Sequence, residues 1–461
     1  MEQMKENRAM VRVIFSLAWP TMLEQLSQST VQYIDTAMVG ALGTYATAAV
    51  GATGTVNWLI FSTIAAFSVG FLSFIARAYG ANDLRGAKRA VSQAVLLVLF
   101  VGVFFTILTL SLSSKIPVWM RVDPSIQKLA STYFFILYLP MLPRTASVIF
   151  GTVLRAAGDT KSPMKISLIT NVLNIILNFL LIYETRTVSF FTVDLMIPGA
   201  GLGVVGAAIA SATAFTISGI CITTVLWHHP VISPRGQRLT VDTQILRTCM
   251  KISLPNMLQR FGTSLGYVFF ASMINSLGGI STAAHTIANT VESAFYIPGY
   301  GMQTAAATLT GNAYGAHDNE RMKKLTKVMI PIEIALMIGS GAVLFVTAPW
   351  LMRLFSSDTV VIALGATVLR MVAVSEPFYG FSIIIEGLLM GVGKTKLPFL
   401  FNIIGMWCVR IVGTFICTQV FHMQLVSAWA CMIAHNLLMF VLFLIVYTSG
   451  NWNPLNKENS K

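Results

Sequence analysis

The chain has 461 residues, of which 55% are hydrophobic and only 11% charged. A soluble domain carries about 25% charge, so this chain cannot cover a folded surface in water and belongs in lipid. The net charge of +13 would suggest nucleic acid in a soluble protein, but where the charges sit gives another answer and excludes a nucleic-acid partner.

Taken in chain order, apolar runs predict twelve spans: 11–39, 46–77, 89–112, 127–154, 164–184, 200–227, 246–276, 281–311, 326–350, 359–391, 397–420 and 424–448. A bilayer core needs roughly 20 apolar residues per helix. The N-terminus lacks a small-residue cleavage site and the first segment is too long for a signal peptide, so it is expected to stay. Most of the 31 Lys and Arg residues fall in the N-terminal tail, in the loops after each even-numbered span and in the C-terminal tail. Only Lys115, Arg121, Lys128, Arg186 and Arg353 fall on the other side, and Arg144, Arg260, Arg370 and Arg410 lie within spans. Positive charge stays in the cytoplasm, so both termini are expected there, which requires an even number of spans. The five cysteines, Cys221, Cys249, Cys408, Cys417 and Cys431, form no CxxC and lie mostly in apolar runs; they read as packing residues.

Shifted by 235 residues, the sequence matches itself. Pro20 falls on Pro255, Gly43 on Gly278, Tyr79-Gly80-Ala81-Asn82-Asp83 on Tyr314-Gly315-Ala316-His317-Asp318, and Gly158-Asp159-Thr160-Lys161-Ser162-Pro163 on Gly393-Lys394-Thr395-Lys396-Leu397-Pro398. The chain thus reads as an all-α integral membrane protein of twelve helices in two pseudo-symmetric six-helix bundles. The expected division is 1–227 for the first lobe, 228–245 for a polar linker and 246–461 for the second. Six spans per half give the halves the same orientation, with a substrate path between them near mid-membrane. Pro20, Pro255, Pro298, Pro331 and Pro377 are expected to interrupt their helices.

Ionisable residues inside spans are costly and point to function. Glu24, Gln28, Gln32 and Asp35 recur at spacings of 4, 4 and 3 and form one stripe on the first span. That stripe faces either a partner helix or a wet cavity. Asp35 lies in the outer half of its span, where a cleft open to the outside would reach it. His285, Asn289, Glu292 and Tyr296 form a second stripe in span 8. The repeat maps Glu292 onto Asn57 and Asp35 onto Phe270, so the acids of the two halves are not equivalent. Asn171, Asn174 and Asn178 in span 5 serve either as interhelical glue or as ion ligands. Gly391-Val392-Gly393-Lys394-Thr395 resembles part of a phosphate loop, but the full pattern needs Gly where Leu388 stands. No HExxH or paired Asp motif is present, so no enzymatic reaction is expected.

Over nearly its full length the chain resembles the multidrug and toxic compound extrusion (MATE) transporters of the wider flippase superfamily. The resemblance rests on LAWP and IDTAMVG in span 1, ARAYGAND after span 2, RAAGDTKSP after span 4, NVLNIILN in span 5, GVVGAAIAS in span 6, and ISLP and GNAYGAHD in the second half. It implies the twelve-helix, two-lobe fold of the multidrug/oligosaccharidyl-lipid/polysaccharide flippases. It also implies export of amphipathic, often cationic compounds in exchange for protons or sodium ions, with no cofactor. Asp35 is similar to the family's span 1 acid, which is tied to cation coupling, and Asn174 to its span 5 amide. Asn178 stands where many relatives have an acid, and Ser211 where they have Thr. One branch of the family carries acids that fall at Thr263 and Tyr379 here, and both are absent. With one charge fewer beside Asp35, the proton is the expected coupling ion, with sodium at Asp35, Asn174 and Asn178 the alternative. The whole reading is a monomeric multidrug antiporter of a bacterial inner membrane, in contact with lipid and small amphipathic cations. A flippase for lipid-linked precursors is the alternative, and it would place cations in the cleft.

Overall fold

In the computed structural model, residues 2–120, 122–190 and 193–458 are described; Arg121, counted above with the sparse cations of one side, lies outside them. The fold is 85% helical. Its order begins α1 (Glu2–Gly40), α2 (Thr44–Gly80), α3 (Leu84–Leu112), the single turn α4 (Ile116–Trp119), α5 (Pro124–Tyr138), α6 (Met141–Ala156) and α7 (Lys161–Leu181). A hairpin follows, β1 (Glu184–Phe190) paired antiparallel with β2 (Val193–Ala200), and then α8 (Gly203–His228). The second half contains α9 (Thr243–Asn275), α10 (Gly279–Phe295), α11 (Ile297–Gly315), α12 (Asn319–Phe355), α13 (Thr359–Gly391) and α14 (Lys396–Ile404). Two π segments, Gly405–Ile411 and Ile416–Val420, flank α15 (Val412–Phe415), and α16 (Leu425–Thr448) and the short α17 (Leu455–Glu458) complete the chain.

All twelve expected stretches are helical. Eight helices among the described residues are long and apolar enough to cross a membrane, or nine if the α5–α6 pair, bent by 51°, is one span. The stretches outside that set are α1, α9 and the α10–α11 pair. Each carries intramembrane polar residues (Glu24 and Asp35; Gln259 and Arg260; Glu292 and Gln303) that lower its apolarity, and the last is divided at Tyr296 into helices of 17 and 19 residues.

The proline expectation needs correction. Pro20, Pro255, Pro331 and Pro377 lie inside unbroken helices. A helix surrounded by neighbours can re-satisfy the one carbonyl that proline frees. Pro298 does fall at a break, as does Pro140, between α5 and α6. The hairpin falls between the expected spans 164–184 and 200–227, where the sequence predicts no element. The polar 228–245 segment is irregular from His229 to Asp242 and is pinned to α3: Gln93 Nε2 donates to the Thr240 carbonyl at 2.8 Å, and Gln93 Oε1 accepts from the Asp242 amide at 2.9 Å.

The main cores follow the halves of the chain. One is built from α2, α3, α5, α6 and the end of α8, with Cys249 and Ile252 of α9 added. Others lie in the second half, one of which takes in Ile14, Leu17 and Ala18 from the start of α1. Backbone conformation follows the 235-residue spacing too. Gly43 and Gly278, Asn82 and His317, and Gly158 and Gly393 are three matched pairs with left-handed φ.

The halves meet where α2 packs on α9 and α11, and α1 on α11. The contact is backbone to backbone. A Cβ at Gly80 would strike the Asn312 carbonyl, and a Cβ at Gly315 would strike the Arg77 carbonyl. Under the repeat Gly80 corresponds to Gly315 and Arg77 to Asn312, so the contact is reciprocal. Ser253 of α9 reinforces the seam: its hydroxyl donates to the Phe67 carbonyl at 2.9 Å and accepts from the Gly70 amide at 3.1 Å. Ser73 Oγ donates to the Gly391 carbonyl at 3.0 Å. The seam is therefore closed at the end of the bundle that carries the basic loops.

Candidate functional site

Three helices bring four of the expected residues together. Asn174 and Asn178 stand one turn apart on α7, so their side chains project from one face. Asn178 Nδ2 donates to Asp35 Oδ1 of α1 at 2.6 Å and approaches Asn174 Oδ1 at 3.2 Å. Asn174 Nδ2 in turn donates to Ser211 Oγ of α8 at 3.2 Å. The result is a continuous polar chain, Asp35–Asn178–Asn174–Ser211; the third span 5 amide stands apart from it, Asn171 Nδ2 donating to Ser27 Oγ of α1 at 2.8 Å. The amides are buried and Asp35 is partly exposed. Among the described residues no Lys, Arg or His lies within ion-pair distance of Asp35. Asn178 Oδ1 is buried without a hydrogen-bond partner. The chain offers a carboxylate and amide and hydroxyl oxygens, donors suited to a proton or a hard monovalent cation. Among the described residues no group of three His, Cys, Asp or Glu is placed to hold a metal ion.

The rest of the α1 stripe divides. Gln28 and Gln32 are exposed. Glu24 is buried and held by a cation that the sequence reading had assigned to a loop: Arg155, in the last turn of α6, donates from Nη2 to Glu24 Oε1 at 2.6 Å and Oε2 at 2.8 Å. Gln28 Nε2 lies 3.5 Å from the same carboxylate. Glu24 is thus engaged within its own half. Removing one partner of a buried ion pair costs about 3–5 kcal/mol, because the other charge is left uncompensated. Glu24→Gln should lower the apparent Tm of the detergent-solubilised protein. Glu24→Gln combined with Arg155→Gln should recover part of the loss, a coupling that a double-mutant cycle measures directly.

The α10 stripe also separates. His285 packs edge-on between Phe270 and Trp429, at ring separations of 5.6 and 5.8 Å. Asn289 is exposed, Glu292 is buried, and Tyr296 sits at the α10–α11 break against Tyr300 and Tyr379. Tyr300 and Tyr379 hydroxyls are 3.1 Å apart. The structure adds two acids of the second half that no motif marks. Glu333 of α12 is 0% exposed with neither carboxylate oxygen hydrogen-bonded, and Glu386 of α13 accepts from Gln259 Nε2 at 2.7 Å. Glu333 belongs to no polar stripe on α12, whereas Glu386 shares a face of α13 with Glu376 and Tyr379, at spacings of 3 and 7, a signal that could have found it.

The intramembrane arginines are engaged locally, although Arg144 Nη1 and Arg410 Nε are buried without a hydrogen-bond partner. Arg144 donates to Asn57 Oδ1 at 2.8 Å, an atom that also accepts from the Tyr138 hydroxyl, and stacks on Phe215 at 4.4 Å. Arg410 lies between Tyr267 and Phe270, at 4.7 and 4.4 Å. Arg260 donates to Asn256 and Arg370 to the Phe345 carbonyl.

Comparison with known proteins agrees with this architecture. A family model described as MatE matches the chain twice, over residues 20–180 and 255–416. The chain is 26% identical over 451 residues to a probable multidrug resistance protein NorM of Thermotoga maritima, covering 97% of this chain and 95% of that one. It superposes with a TM-score of 0.87 on the outward-facing conformation of a multidrug resistance MATE family transporter of the MOP superfamily, at 24% identity and with 96% of each chain covered. It superposes equally, with a TM-score of 0.87, 23% identity and 96% of each chain, on a MOP superfamily transporter from Pyrococcus furiosus whose reversed pocket polarity suggests a different function for that protein.

Proposed function

The chain belongs to the MatE family, whose members are membrane transporters rather than enzymes, and on that premise we propose that it is a secondary active exporter exchanging amphipathic, cationic compounds for protons across a bacterial cytoplasmic membrane, with both termini inside. The observation that carries this reading is Asp35. It is a partly exposed carboxylate held at 2.6 Å by a buried amide, with no cation among the described residues to neutralise it. A charge in a membrane needs a counter-charge, and here that place is open to exchangeable ones.

Ionised Asp35 attracts a cationic compound entering between the halves from the cytoplasm. A proton arriving from outside neutralises the carboxylate, the hold on the compound weakens, and the compound leaves. Return to the inward-facing state releases the proton. Asn178 and Asn174 keep the carboxylate in place through both steps. The local engagement of Arg144 by Asn57 and Phe215, and of Arg410 by aromatic rings, leaves the acids to set the sign of the path, which supports cationic cargo over a pyrophosphate-linked lipid. Sodium is the second reading, supported by the unpartnered Asn178 Oδ1 beside the carboxylate, since Na+ takes several oxygen ligands.

The test is uptake of a fluorescent cationic dye into everted membrane vesicles, driven separately by a proton and by a sodium gradient. Uptake driven by the proton gradient alone is expected. Uptake driven by sodium alone would move the coupling ion to the second reading. No uptake under either gradient, with folded protein present, would overturn the cationic-exporter reading.

A further inference from the structure

The fragment Gly391–Thr395 lacks a full nucleotide-binding loop, yet its surroundings are built for an anion. Gly393 turns the chain with φ +77° between α13 and α14, and the turn lines a cavity of about 390 Å³ with Arg77, Thr248, Lys251, Ile252 and the first residues of α14. Four cations border this cavity, Arg77, Lys251, Lys394 and Lys396, and no acid does. Arg77 is fixed: its Nε donates to the Ser73 carbonyl at 3.1 Å, while Nη2 is buried without a hydrogen-bond partner. Lys394 contributes charge from a tethered position, since its Nζ donates to the Asn451 carbonyl at 2.5 Å.

The internal repeat supplies an independent comparison. In the first half the equivalent turn is Gly158-Asp159-Thr160-Lys161, and Asp159 Oδ1 accepts from the Ser162 amide at 3.0 Å. That turn carries its own anion at the start of α7. In the second half Lys394 replaces Asp159 and Leu397 replaces Ser162, and α14 begins with no side-chain cap. The leading N–H groups of a helix have no carbonyl partner within it, and its dipole favours negative charge there. The chain has therefore exchanged a built-in carboxylate for a ring of cations around an uncapped helix start.

We propose that this pocket binds a phosphate-bearing anion, the headgroup of an anionic phospholipid or a soluble phosphate. Arg77 comes from the first half of the chain and the other cations from the second, so the bound anion bridges the two halves beside the Gly80–Asn312 and Gly315–Arg77 contacts. Occupancy favours the state in which this end of the molecule is closed. The site involves neither Asp35 nor the cargo, and it stands or falls apart from the coupling reading.

The experiment measures binding and thermal stabilisation of the full-length protein in a neutral detergent. The probes are inorganic phosphate, short-chain phosphatidylglycerol and, as a zwitterionic control, short-chain phosphatidylcholine. Phosphatidylglycerol is expected to bind and raise the Tm, and phosphatidylcholine not. Lys251→Gln combined with Lys396→Gln, both at exposed positions, should weaken binding at least tenfold, as should Arg77→Gln. Arg235→Gln, outside the pocket, should leave it unchanged. Inorganic phosphate binding as tightly as the lipid would support the site with a soluble occupant, and binding of the lipid alone would support a headgroup site. Binding of neither anion, or anion binding that survives both sets of pocket substitutions, would overturn the proposal.

Discussion

Asp35→Asn will reduce gradient-driven dye export to the background leak. Asparagine keeps the size and one hydrogen-bonding oxygen of the side chain, so the packing of α1 against α7 is retained. It cannot be ionised, so the carboxylate that Asn178 holds at 2.6 Å loses both its attraction for a cation and its capacity to take one up. Two unit charges 4 Å apart at an effective dielectric of 20 interact by about 4 kcal/mol, and each 1.4 kcal/mol is tenfold in affinity. A loss of dye binding of at least one order of magnitude, and of coupled transport entirely, is therefore expected. Asp35→Glu restores the charge on a side chain one methylene longer and should recover part of the transport. Asn178→Ala removes the positioning amide and should give an intermediate rate. The measurement is initial dye uptake in vesicles, normalised to the amount of folded protein. Full activity in Asp35→Asn would retire this residue as the coupling site.

How much of this was legible in the sequence depends on the physical range of each signal. Spans and the repeat were readable because lipid enforces long apolar runs and because left-handed turns keep glycine or asparagine at fixed spacing, as at Gly43 and Gly278. The polar face of α1 was visible as a period. What that face touches was not. Glu24 and Asp35 share a stripe, yet one is held by Arg155 of α6 and the other by Asn178 of α7, distinctions set by how helices distant in sequence pack. The α10 stripe shows the same limit, since His285 packs on Phe270 and Trp429 while Asn289 is exposed. Proline was over-read: its local cost is real, but four of the five marked prolines lie inside continuous helices. The hairpin at 184–200 was missed because a segment between two spans was treated as loop, although TRTVSF and VDLMIP have strand-like composition.

Gly80→Leu and Gly315→Leu should each abolish transport by a different route, holding the molecule open at the end where it is now closed. At either position a Cβ would overlap a backbone carbonyl of the opposite half, that of Asn312 or that of Arg77. Backbone in a helix cannot rotate aside as a side chain can, so relief requires the two halves to separate, and overpacking of this kind is poorly tolerated. Because the contact is reciprocal, one substitution should suffice and the second should add little, a non-additive pattern expected of residues sharing one interface. Gly339→Leu is the control: it is also helical, but a Cβ there would meet nothing within 4 Å. Spin labels at Arg85→Cys and Arg321→Cys, exposed positions in the first turns of α3 and α12, report the separation of the halves at this end. The distance distribution should move to longer values in Gly80→Leu and Gly315→Leu and stay in place in Gly339→Leu, while each protein retains its helical content. Unchanged distances with normal export would mean that the glycines serve packing alone. Lengthened distances with export lost would identify this glycine clasp as the seal that alternating access must open and remake in every cycle.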